Sequence, residues 1–203
     1  MRKKIIGILI CMLLTTTILP MTAFAGDPEN PEITDPTGDA FGYIDINSVW
    51  FFEKEVTPEF LYVSEKINGP SNFVPMQTFA VFWTHKNIEY ACVLGIGFRL
   101  DHWKSFAAVI GNNDDEIIDV NGTYNFETGI ITWEIPKDII GNPQAGDVLK
   151  DTWSNAFRRL GFIGRIGFTR TALDVFILLV FGNNMWDYAP AKGEHGLDYI
   201  IEH

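Results

Sequence analysis

From residue 43 onward the chain is a succession of short apolar runs broken by turn signals every ~8 to 12 residues, and this spacing constrains the fold more than any other feature. A helix must repeat its apolar positions every three to four residues over ~10 residues or more to bury one face, and almost no stretch here does so. Residues 43–52 alternate instead. Ile44, Ile46, Trp50 and Phe52 fall on one face and Asp45, Asn47 and Phe51 on the other, the two-residue period of a half-buried strand. Residues 60–67 give a second strand, closed by Asn68-Gly69-Pro70, and 76–84 with 88–96 read as a hairpin around His85-Lys86-Asn87. Shorter strands at 106–110 and 117–120 precede a hairpin of 123–126 with 130–135 around Glu127-Thr128-Gly129, and residues 197–201 form the last strand. The expected fold is all-β, an antiparallel β-sandwich of jelly-roll or immunoglobulin-like kind with one or two short helices. One helical turn is expected in 136–143, which opens on proline and ends on Gly141-Asn142-Pro143. The other is residues 151–159, where Trp153, Ala156, Phe157 and Leu160 recur at helical spacing. The apolar run 175–181 is too short to cross a membrane and reads as a buried strand or a strand set against a partner surface.

Residues 1–25 begin with Arg2, Lys3 and Lys4, continue through an apolar run and end in Ala23-Phe24-Ala25, the pattern of a secretory signal peptide cleaved before Gly26. A retained membrane anchor is the competing reading, since the apolar run is only slightly short of a bilayer span. The expected organisation is a signal peptide over 1–25, a flexible lead-in over 26–38, and a single sandwich domain over 39–203, located outside the cell with no stable membrane span after cleavage. The formal charge of -11 becomes still more acidic once the basic leader is removed, which argues against nucleic acid and anionic lipid as partners. Cys11 lies in the leader, so Cys92 is left alone in an apolar run, where a buried structural thiol is expected.

Asp35, Asp39 and Asp45 crowd carboxylates into a stretch that Pro36, Gly38 and Gly42 keep from becoming helical. Hard cations such as calcium take ~6 to 8 oxygens from loop carboxylates and carbonyls, so this is a candidate cation loop; a plain solvated turn is the alternative. Asp187, next to the final strand, which could pair near this loop, is the candidate distant ligand. Among the six tryptophans, Trp50, Trp83 and Trp133 lie in strands and are expected in the core. Trp103 and Trp186 have polar neighbours and are the candidate ligand-binding platforms. The histidines show no metal spacing, and neither a nucleophile elbow, a phosphate loop nor a zinc helix motif is present. Glu127 and Glu134 are explained by hairpin surface positions, so no enzyme activity is expected.

Several local motifs follow one another along the chain: Asp35-Pro36-Thr37-Gly38-Asp39 leading into Tyr43-Ile44-Asp45-Ile46, Phe60-Leu61-Tyr62-Val63, Val81-Phe82-Trp83-Thr84, Gly129-Ile130-Ile131-Thr132-Trp133, Ile140-Gly141-Asn142-Pro143 and Asp187-Tyr188-Ala189-Pro190. In this order they resemble secreted β-sandwich modules related to the family 9 carbohydrate-binding modules and DOMON-like domains. The resemblance implies a non-catalytic binding module, with a polysaccharide or cell-surface glycan as partner, and structural calcium held by Asp35 and Asp39. Residues 160–181 are more apolar than the resemblance leads one to expect. A surface domain that binds another protein and no small molecule is the alternative.

Overall fold

The computed structural model describes residues 26–40, 44–69, 77–96, 103–110, 116–158 and 186–203. Its strands form two antiparallel sheets packed face to face, a β-sandwich. One sheet has the spatial order β1 (Ile33–Thr34), β2 (Ile46–Phe52), β3 (Phe60–Ile67), β9 (Ile130–Pro136), β8 (Asn121–Asn125). The other runs β11 (Trp186–Ala189), β10 (Val148–Arg158), β4 (Gln77–His85), β5 (Ile88–Ile96), β6 (Trp103–Ile110), β7 (Glu116–Asp119), and β12 (Tyr199–Ile200) also pairs with β10. The chain leaves β3 for the second sheet, meanders through β4 to β7, turns back at Val120 into β8 and β9 beside β3, and crosses again to β10 beside β4.

Local chemistry sets the turns. Lys86 and Asn87 join β4 to β5 with φ of 49° and 65°, the paired positive values that a two-residue hairpin turn needs to follow strand twist. Asn125 holds the β8–β9 turn by accepting the amides of Glu127 and Thr128 at 2.9 and 3.2 Å. The expected helical turn is a 3-10 turn, η1 (Lys137–Ile140), closed by Gly141 at φ 79°. Only glycine fits there, because an added Cβ would lie 2.7 Å from the Tyr90 hydroxyl oxygen.

Alternate residues of both sheets meet in the core. Val49, Phe51, Leu61, Val63, Ile131 and Trp133 of the first sheet pack against Phe79, Val81, Trp83, Cys92 and Leu94 of the second. Phe51 meets Trp83 edge-on at 5.8 Å between ring centres, and Cys92 is the buried free thiol expected of it.

Two expectations fail. The expected helix 151–159 is not formed where it is described: residues 151–158 lie in β10, whose register shifts between Lys150 and Trp153 around Asp151 at φ 51°. The strand carries apolar residues on both faces, Trp153 and Phe157 outward and Ala156 inward, so its apolar spacing imitates a helix. The phase of β2 is also reversed. A register shift between Ile46 and Ser48 puts Val49 and Phe51 in the inter-sheet core, and Trp50 and Phe52 on the outer face, where Phe52 stacks on Tyr62 at 5.1 Å. In the expected lead-in, Ile33 of β1 pairs with Val49 and is fully buried, and Glu32 accepts the Phe51 amide at 2.9 Å. The leader and the run 175–181 lie outside the described residues.

Candidate functional site

At one corner of the sandwich the four aspartates named from sequence come together. Asp35 follows β1, Asp39 sits in the glycine-bearing turn, Asp45 precedes β2, and Asp187 is the second residue of β11. Each offers a carboxylate oxygen, and these oxygens all lie within 4.8 Å of one another, so the cluster could hold a metal ion. Backbone amides fix three of the supports. Asp45 accepts the Gly38 amide at 2.9 Å, closing the turn that carries Asp39. Asp187 accepts Ile46 N–H at 2.6 Å and Tyr188 N–H at 3.0 Å. The Asp35 amide donates to the Asn47 carbonyl at 3.0 Å, which ties it beside β2.

The corner is electrostatically incomplete. Asp35 is only 8 % exposed, yet neither of its carboxylate oxygens has a hydrogen-bond partner. Asp45 and Asp187 are buried too, while Asp39 is exposed. Among the described residues none of the four forms a salt bridge. Burial, then repulsion from Asp187, Asp39 and Asp45, pushes the Asp35 carboxyl up to about 7. Burial likewise raises Asp187 to about 6, against the lowering effect of the Ile46 amide. An all-oxygen, multiply anionic set with an unpartnered buried carboxylate suits a hard divalent cation, which would supply the missing positive charge.

A second surface lies on the outer face of the second sheet. Phe82 and Trp153, opposite each other on β4 and β10, stack at 3.9 Å with planes 4° apart. Phe157 and Trp186, opposite each other on β10 and β11, stack at 4.7 Å, and Trp186 lies nearly parallel to Tyr188 at 6.3 Å. Trp186 is 40 % exposed, a large apolar ring left in reach of solvent. Beside this row a groove of about 270 Å³ is lined by Trp153, Tyr188, Pro190, Lys192, Glu194 and His195. The Lys192 ammonium stands 5.5 Å from the centre of the Tyr188 ring.

Of the two platform candidates, the structure places only Trp186 on this face among described side chains. Trp103 begins β6 opposite Ile96, with three strands between β6 and β11, and its side chain lies outside the described residues. Trp153 and Tyr188 were missed. Reading residues 151–159 as a helix hid the alternation of Trp153, Asn155 and Phe157, and the same period in Trp186 and Tyr188 was the available signal.

The polar groups around His85 and Lys137 are paired with one another. Buried His85 contacts Asp147 at 3.2 Å and the Ile140 carbonyl at 3.3 Å, and Lys86 bridges the same Asp147 at 3.0 Å. A larger hollow of about 450 Å³ beside η1 is lined by three prolines, by polar residues such as Glu59, Asp138 and Gln144, and by Lys137, whose ammonium is already bound to Glu53 and the His203 carbonyl. Comparison with known proteins returns no match to any family model, curated protein or solved structure.

Proposed function

We propose that this chain is a secreted, non-catalytic β-sandwich binding module of the carbohydrate-binding or DOMON-like kind, with calcium at the four-aspartate corner. The observation that carries the binding role is the outward row of Phe157, Trp186 and Tyr188 beside the groove of Trp153, Lys192, Glu194 and His195. Flat aromatic faces offer the apolar side of a sugar ring a stacking surface, and a few polar groups at the edge take its hydroxyls. The acidic chain and its leader-like first 25 residues support a location outside the cell, where polysaccharide and millimolar calcium are met together. Calcium fits the corner better than magnesium, because Asp35, Asp39, Asp45 and Asp187 can supply several oxygens at flexible distances. Native gels containing hydroxyethylcellulose, xylan, mannan or chitosan test the reading. At least one should retard the protein, and Trp186→Ala or Trp153→Ala should weaken that retardation about tenfold or more, equivalent to ~1.4 kcal/mol. Equal retardation of wild type and both variants would remove the aromatic face from consideration.

A further inference from the structure

We propose that a divalent cation at the four-aspartate corner controls ligand capture on the outer aromatic face, and that strand β11 transmits the effect. This rests on the reading of both sites given above. β11 alternates. Asp187 reaches inward to the corner, and its neighbours Trp186 and Tyr188 stand on the outer face. The strand is four residues long, and among the described residues it is paired along one side only, with β10. Across the sandwich the Asp187 carboxylate accepts the amide of Ile46 at 2.6 Å, and Ala189 is buried in the core. The ligand surface and the cation corner therefore share one short strand, and an element with so few ladder bonds among the described residues is the kind that opens locally at little free-energy cost.

The corner itself asks for a cation on two independent grounds. Four carboxylates converge to within 4.8 Å, and one of them, Asp35, is more than nine-tenths buried with both oxygens unpartnered and directed into that cluster. Without a cation, Asp187 is held beside the carboxylates of Asp35, Asp39 and Asp45 by two hydrogen bonds from backbone N–H groups. With one, the same carboxylate becomes a ligand, and the repulsion that loosens β11 becomes an attraction that pins it to residues 35–45. Trp186 is then fixed in its stack with Phe157 and Tyr188 beside Trp186, and a platform already ordered loses less freedom when a ligand lands on it. Linkage makes the effect reciprocal, so bound ligand must also tighten the cation, with couplings of this kind usually ~5 to 150-fold.

The test uses the full chain with calcium as the cation and the four polysaccharides named above as ligands. Calorimetry with calcium alone, gel retardation with calcium or with chelator, and amide exchange of residues 186–189 in both conditions are the three measurements. The expected result is calcium binding, retardation weakened about tenfold by chelator, and slower exchange in β11 when calcium is present. Asp39→Asn should reduce the calcium response of both retardation and exchange. Asp39 is exposed, so this variant keeps its fold, whereas Asp187→Asn disturbs the bond to Ile46. Trp186→Ala should lose retardation and keep calcium binding. No calcium uptake overturns the cation reading, and no retardation by any polysaccharide overturns the sugar reading; either result removes the coupling with it. If calcium and polysaccharide both bind, but retardation and β11 exchange are the same with and without calcium, the two readings stand and the coupling alone is overturned.

Discussion

Single carboxyl groups carry unusual weight in this sandwich. Glu65 lies on the inner face of β3, fully buried, with one oxygen accepting the Ser154 hydroxyl at 2.8 Å and the other unpartnered. Burial pushes its carboxyl up to about 8 from the usual 4.5. Between those values the folded chain holds a proton that the unfolded chain releases, so the contribution is fully present below about pH 4.5 and is lost as pH rises through about 8. Glu32, raised to about 7 by burial, acts in the same direction. Urea unfolding at about pH 5 and about pH 8.5 should show wild type losing stability with rising pH. Glu65→Gln, which keeps an acceptor for Ser154, should lose less and be the more stable protein at the alkaline end. Identical pH slopes for the two proteins would show that Glu65 does not titrate in this range.

The elements show how one irregularity redirects a strand. In β2 the bulge between Ile46 and Ser48 moves Phe51 inward, where it meets Trp83 and Tyr199, and Phe52 outward onto Tyr62. Phe51→Ala should therefore cost ~3 to 5 kcal/mol as a large core truncation. Phe52→Ala should cost clearly less, on the order of 1 kcal/mol for a lost aromatic pair at a half-buried site. Denaturant midpoints of the two variants check this, and the reverse order would mean that β2 keeps an unbroken alternation. The bulge in β10 has a comparable effect, since it sets Trp153 against Phe82 on the outer face and leaves Ser154 facing Glu65. Neither bulge has a proline or glycine signature, which is why reading the residues at a fixed period put the second half of β2 in the wrong phase and took part of β10 for a helix.

At the scale of the whole molecule, the cation corner joins parts of the chain that are remote in sequence. Asp187 on the second sheet bonds Ile46 on the first, 141 residues away, and a cation there would clamp the two sheets at one end. A ligand bound only by the folded state stabilises it by ~2.7 kcal/mol at a hundred times its dissociation constant, roughly 5 to 10 °C in melting temperature for a chain of this size. Thermal melts in calcium and in chelator should differ by about that amount, and Asp35→Asn should shrink the difference. In chelator the same variant should melt no lower than wild type, because it removes a buried charge that lacks a partner. An unchanged midpoint at millimolar calcium would dismiss the cation.

The sequence by itself determined the class of fold, the positions of most strands and the hairpin turns, because alternation and turn chemistry act over a few neighbouring residues. It also marked Asp35, Asp39 and Asp45, whose crowding is local, and named Asp187 without showing that the chain brings it there. The tertiary structure alone decided the convergence of all four, the inward turn of Phe51, and the outward aromatic row of Trp153, Phe157, Trp186 and Tyr188. Each of these depends on strand register and on which strand pairs with β10 or packs across from β2, and register is set by contacts between distant segments that no local pattern encodes.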